Sequence, residues 1–401
     1  MNTSIQAVDI VPADEQDKPA WSAVFAMALG VFSLVTAEFL PASLLTPMAS
    51  SLGVTEGVAG QAVTATATVA LVTSLLTAAA TRSIDRRRVL LAFTALLLGS
   101  NLLVAFATSL PAVLIGRVLL GVALGGFWTM AAATAMRLVP VAMVPRALSI
   151  IFSGVSVATI AAAPLGSYFG NLIGWRNVFL IAAVLGVIAF AWQAATLPKM
   201  APSGATRLRT LLDVLRRPTV GLGMLATILV FTGHFAFFTY LRPFLEGVAG
   251  VGVNGLSAIL LGYGVANFVG TSLAGRLLER SLRPVLIAMP AAMVVIGAML
   301  VALGRAPIAD AVLVALWGAA FGGIPVAWST WITRTVPDEA ESAGGLMVAA
   351  VQLAIATGAA AGGVVFDSSG ANGVFVGAVG VLVVAVLTIV VGVPAKAGGA
   401  R

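Results

Sequence analysis

Apolar stretches of about twenty residues recur along the whole of this 401-residue chain. They lie near 23–48, 58–80, 89–108, 111–136, 147–171, 177–197, 219–244, 255–278, 285–304, 308–332, 342–366 and 372–393. Each is long enough to cross a hydrocarbon layer about 30 Å thick as an α-helix. Inside lipid the backbone has no water to bond, so only helices and closed barrels are allowed, and runs of this length select helices. The chain is 60% hydrophobic and 9% charged, against about 25% charged in a soluble domain. The expected fold is an all-α membrane protein with twelve transmembrane helices.

The chain also repeats itself. Gly121, Gly125, Gly126, Arg137, Pro140, Gly166 and Phe169 have counterparts at Gly318, Gly322, Gly323, Arg334, Pro337, Gly363 and Phe366, each pair separated by 197 positions. A further pair, Asp85-Arg86, is matched by Glu279-Arg280 at an offset of 194. Two half-length apolar copies predict two pseudo-symmetric six-helix bundles, at 21–197 and 219–393. A linker at 198–218 joins them, with short tails at 1–20 and 394–401. The linker carries five positive charges and Asp213, and no apolar run. Two such bundles rocking about a shared midplane site is the construction of a secondary transporter.

The net charge of +7 reports orientation rather than a nucleic-acid partner. Fifteen Lys and Arg, from Arg82 to Arg334, fall in one alternate set of loops, and only Arg176 and Arg305 fall in the other. This positive-inside bias predicts a multi-pass protein of a cell's inner membrane with both termini cytoplasmic. Residues 1–20 are acidic, lack the pattern of a signal peptide, and read as a disordered tail. With no cysteine and a single histidine, thiol chemistry and a His-rich metal cluster are excluded. No nucleophile–base pair is apparent, so the expectation is no enzyme, no cofactor and no metal.

Small residues recur at every fourth position in several spans. The rows are Ala62, Thr66, Ala70, Ser74, Ala78; Gly154, Ala158, Ala162, Gly166, Gly170; Ala258, Gly262, Ala266, Gly270, Ala274; and Ala350, Ala354, Gly358, Gly362. Each row falls on one helix face, where two backbones can approach closely. They are expected to form the sliding contact between the halves, the second span against the eleventh and the fifth against the eighth, although Ala and Gly are abundant enough to produce a row by chance.

Several motifs carry a family resemblance. "TRSIDRRR" after the second span and "GRLLER" after the eighth are similar to the loop signature of the major facilitator superfamily, with Thr81 in the usual Gly position. "GRVLLGVALGG" places Arg117 in that superfamily's basic position, and "AAAPLGSYFG" resembles its antiporter Pro-Gly pattern at Pro164 and Gly166. "EFLPASLLTPMA", "LGGFW", "FAFFTYLRP" and "WSTW" extend the likeness over nearly the whole chain, to the proton-coupled drug and metabolite efflux branch and its purine ribonucleoside efflux pumps. The resemblance implies a proton antiporter that exports purine ribonucleosides such as inosine and guanosine, acting as a monomer on small molecules and protons. Sugar or multidrug efflux on the same scaffold is the alternative.

Ionisable groups inside the spans are costly and mark function. Glu38 is the expected coupling or substrate residue, or else a structural partner of Arg117. Arg117 can tune Glu38, or snorkel to the outer interface. His234 is a second proton site or a hydrogen-bonded structural residue. Trp128, Phe237, Phe238, Tyr240 and Trp328 offer faces on which a base can stack, with Asn267 and Gln352 as polar partners; each could instead be packing. Asp85, Arg86, Pro164, Gly166, Glu279 and Arg280 are the expected conformational switch; the two loop pairs could instead be ordinary positive-inside charge.

Overall fold

A computed structural model describes residues 19–81, 83–140, 143–201, 213–304, 306–336 and 340–393. The side chains of Glu279 and Arg280 lie outside the described residues, as do most of the linker and both tails. The first half comprises α1 (Trp21–Ser43), α2 (Leu45–Leu52), α3 (Glu56–Ala59), α4 (Gln61–Ala80), α5 (Arg86–Ala105), α6 (Leu110–Leu138), α7 (Val144–Leu172) and α8 (Trp175–Thr196). The second comprises α9 (Pro218–Thr239), α10 (Leu241–Gly247), α11 (Val253–Arg280), α12 (Leu282–Leu303), α13 (Pro307–Gly322), α14 (Ile324–Thr335) and α15 (Ala340–Gly392).

Helix starts follow local chemistry. Pro stands within the first two residues of α6, α7, α9, α13 and α14, where its missing N–H costs nothing. Asp85 caps α5 by accepting from the Arg87 N–H, and Gly53 closes α2 with a left-handed φ of 67°.

Eleven described helical segments are long and apolar enough to span a bilayer, and the last runs from Ala343 to Gly392. A straight helix of that length would be roughly 75 Å long. It is broken at Gly370, whose φ of 67° and ψ of −173° only glycine adopts readily. The chain doubles back there. Gly358, before the break, lies against Thr232 and Phe235 of α9; Leu382, after it, lies against Gly233 of the same turn. The long segment therefore makes two crossings, giving the twelve-helix fold expected from the sequence.

Three spans are discontinuous where the sequence reading expected single helices. α1 passes to α2 at Leu44 and α9 to α10 at Tyr240, both with ψ of 11°, and α13 passes to α14 at Gly323. Prolines 41, 47, 243 and 325 flank these breaks and remove the N–H groups that would continue the helices.

The repeat is preserved in the packing. Gly121 and Gly125 of α6 lie against the carbonyls of Thr66 and Ala70 on α4; Gly318 and Gly322 of α13 lie against those of Tyr263 and Asn267 on α11. All four contacts keep the 197-residue offset. The spans that carry the rows do meet across the halves, α4 with α15 and α7 with α11, but several of the row residues themselves face helices of their own half. Thr66 and Ala70 meet α6, Gly154 and Gly166 meet α1 and Gly170 the Leu44 that follows it, Gly270 meets α13, and Gly358 meets α9 and Gly362 the Tyr240 that follows it. Spacing of four announces close approach without naming the partner helix. Contacts between the halves come from other positions, with Gly264 of α11 against Ile160 of α7 and Gly57 against Gly363.

Candidate functional site

Between the halves lies a cavity of about 890 Å³, within the size range of small-molecule sites. The first half contributes Val35, Glu38, Phe39, Trp128, Phe152 and Thr159. The second contributes His234 and Phe238 from α9, Tyr263 and Asn267 from α11, Phe321 from α13, Trp328 and Arg334 from α14, and Gln352 from α15, among others. Thr333 and Arg334 at one end of the lining are exposed, so the cavity opens at the end where α6 and α14 finish.

The other end is shut by contacts between the halves. Arg242 donates to the carbonyl oxygen of Ser43 and pairs with Glu246 at 2.9 Å. Thr55 Oγ1 donates to Asp367 Oδ2 at 3.1 Å. Below them Phe39 meets Phe238 edge-on, with ring centroids 5.5 Å apart.

Glu38 stands on α1 at the cavity wall, and Gln352 reaches toward its carboxyl from the opposite half. Arg117 is fully buried and does not snorkel. Its guanidinium donates to the carbonyls of Ala37 at 2.7 Å, Ala62 at 3.1 Å and Glu38 at 3.3 Å. The Ala37 carbonyl is the one that Pro41, four residues on, leaves without a helical donor. Arg117 therefore satisfies the carbonyl that Pro41 orphans, directly behind Glu38, and ties α1 to α4.

His234 is clamped between aromatic faces, stacked on Phe321 at 3.3 Å and on Phe238 at 5.8 Å. Trp317 Nε1 donates to its Nδ1 at 3.1 Å, and its Nε2 faces the Tyr263 hydroxyl at 3.5 Å.

Seven of the ten expected coupling and substrate residues line one cavity: Glu38, His234, Trp128, Phe238, Asn267, Trp328 and Gln352. Arg117 stands behind it. Phe237 instead stacks on Trp317 and packs on Phe375. Tyr240 donates to the Ala359 carbonyl near the closed end and stacks on Phe366. Of the expected switch residues, Asp85 accepts from the Met200 N–H as well as capping α5, and Arg86 donates to Thr81. Gly166 packs on Leu40 and Ser43 of α1, two residues along α7 from Pro164.

Sequence reasoning missed Phe39, Phe152, Tyr263, Trp317 and Phe321. Phe152 stacks on Trp128 at 5.7 Å. Its only signal was an aromatic residue just ahead of the row of small residues that starts at Gly154. Trp317 and Phe321 carried one weak signal, a spacing of four that puts both on one face of α13.

Residues 27–356 match the family model of the Major Facilitator Superfamily. The chain is 48% identical over 358 residues to the purine ribonucleoside efflux pump NepI of Salmonella paratyphi B, covering 89% of this chain and 90% of that protein. The same figures hold for NepI of Salmonella enteritidis. Among solved structures, a D-xylose–proton symporter superposes with a TM-score of 0.77 at 15% identity, covering 95% of this chain and all of that one. A bacterial homologue of the lysosomal transporter Spinster superposes at 0.74 with 16% identity, over 95% and 98% of the two chains.

Proposed function

The chain belongs to the Major Facilitator Superfamily and is a multi-pass membrane transporter, and on that premise we propose that it exports purine ribonucleosides, inosine and guanosine among them, in exchange for protons. The observation that carries the reading is the cavity between the halves, with Glu38 on one wall and aromatic and amide groups on the other. A nucleoside base can stack on Phe39, Phe238 or Trp128, while Asn267 and Gln352 serve its polar edge. The 48% identity to purine ribonucleoside efflux pumps supports that substrate class.

Glu38 is the coupling residue in this reading. It is the lone carboxylate among the described lining residues, and it sits where substrate and proton would compete for one space. His234 is less suited to carrying a proton, since its Nδ1 already accepts from Trp317. Arg117 holds the end of α1 around Glu38 in place. The cavity mouth lies at the Arg-rich end, so by the positive-inside rule the conformation is open to the cytoplasm of a bacterial inner membrane, with both termini there and a monomer as the working unit. The halves 21–197 and 219–393 would rock about the cavity, with Asp85, Arg86, Pro164, Gly166, Glu279 and Arg280 bearing on the exchange. One proton moving down ~100 mV yields about 2.3 kcal/mol, and one pH unit adds about 1.4. That suffices to concentrate a neutral substrate a few hundredfold, to order of magnitude.

The test is inosine transport in proteoliposomes under an imposed pH gradient, wild type against Glu38→Gln. Gradient-driven transport that is lost in the variant supports the reading. Gradient-driven transport that persists moves the coupling site elsewhere. No inosine movement by folded wild type points to sugars or drugs.

A further inference from the structure

We propose that Trp317, His234 and Tyr263 form a one-way hydrogen-bond chain that fixes the Tyr263 hydroxyl as a donor into the cavity. Beside Asn267 as an acceptor, it reads a heterocycle edge carrying an acceptor and a donor side by side. The inference rests on the cavity being the substrate site and names the group that site recognises.

The direction of the chain follows from what each group can do. An indole N–H only donates. Trp317 Nε1 lies 3.1 Å from His234 Nδ1, so Nδ1 is the acceptor and the single proton of the neutral ring sits on Nε2. That proton faces the Tyr263 oxygen at 3.5 Å, a long contact that makes the phenol oxygen an acceptor. The hydroxyl's own proton is then free for the cavity, which Tyr263 lines while being only 3% exposed. Neither the donor end nor the middle of the chain is loose. Trp317 is stacked on Phe237 at 3.9 Å, and His234 is held between Phe321 and Phe238.

Asn267 follows Tyr263 by one helical turn, so the two share a face of α11 at about 5–6 Å between their Cβ atoms. Its Nδ2 donates to the Gly318 carbonyl at 3.3 Å, which leaves Oδ1 as the acceptor available to the cavity that Asn267 lines. Gly318 is one of the glycines that let α13 lie directly on α11. The same close approach thus orients the amide. A fixed donor one turn from a fixed acceptor is complementary to a lactam, whose carbonyl accepts and whose adjacent ring N–H donates. A 6-oxopurine carries that edge.

The chain has one histidine, so [15N]histidine-labelled protein without a histidine tag gives a single imidazole in solid-state NMR. The expected wild-type spectrum has a protonated Nε2 and a bare Nδ1. Trp317→Phe, which keeps the stack on Phe237, should give a tautomer mixture. A proton on Nδ1 in the wild type overturns the chain whatever the substrate. In equilibrium binding, Tyr263→Phe should weaken inosine about tenfold and Trp317→Phe by a smaller factor. Wild type should bind 1-methylinosine, which lacks the ring N–H, about tenfold more weakly than inosine. Inosine affinity unchanged in Tyr263→Phe refutes the donor role. Absence of inosine binding by wild type with the expected tautomer refutes the nucleoside reading and the edge assignment together, and so separates that failure from failure of the chain.

Discussion

Arg242 of the second half donates to the carbonyl oxygen of Ser43 in the first, and that carbonyl is the one Pro47 leaves without a helical partner. The contact seals the end of the molecule opposite the cavity mouth at the point where α1 gives way to α2. Removing it in Arg242→Met is expected to favour opening of that end by about 1–2 kcal/mol, roughly five- to thirtyfold in the equilibrium. The chain has no cysteine, so labelling of a single Thr159→Cys in intact cells by an impermeant thiol reagent measures this directly. It should rise by that factor in the variant.

Thr55 and Asp367 sit at the same sealed end, 312 positions apart in sequence and joined by one hydrogen bond. A short bifunctional cross-linker between cysteines at these two positions should stop transport, and cleaving it should restore transport. Continued transport in fully cross-linked protein would show that this contact need not open.

Arg117 makes an analogous repair at Ala37, whose donor is lost to Pro41. Arg117→Met should lower stability by about 1–3 kcal/mol, read as thermal unfolding in detergent. Adding Pro41→Ala supplies a backbone N–H for Ala37, so the double variant should recover part of the loss. Strict additivity of the two changes would argue against the repair.

Gly125 and Gly322 occupy equivalent positions and lie against the carbonyls of Ala70 and Asn267. Substituting Val at either should cost more than about 2 kcal/mol through overpacking against backbone that cannot yield. Gly99→Ala, where nothing lies within 4 Å, should be neutral or stabilise by up to about 1 kcal/mol. Comparing the three melting curves checks whether close helix approach, rather than glycine content, holds each half together.

Helix number, the repeat and Glu38 were legible because each leaves a mark in one dimension: a run of apolar residues, a constant offset, a charge where lipid should be. Partnership is a property of three dimensions and was not. The row through Gly154, Gly166 and Gly170 announced close packing, expected against the other half, yet the structure sets these glycines against α1 and Leu44 while the same helix also meets α11 through other positions. Trp317 and Tyr263 looked like ordinary apolar-helix aromatics, and only the crossing of α9, α11 and α13 at His234 gives their polar atoms something to bond. The arginine–proline pairs were readable in principle, since a proline marks the orphaned carbonyl four residues before it. Which arginine arrives to satisfy it depends on the fold.

The break at Gly370 bears on how the protein is made. Only the short polar stretch from Asp367 to Asn372 separates the last two crossings, with the turn made at Gly370, so little loop is available to be carried through the bilayer after the first crossing has settled. The two must leave the insertion machinery together as a helical hairpin, so any substitution that straightens residue 370 would act during biosynthesis, before transport begins.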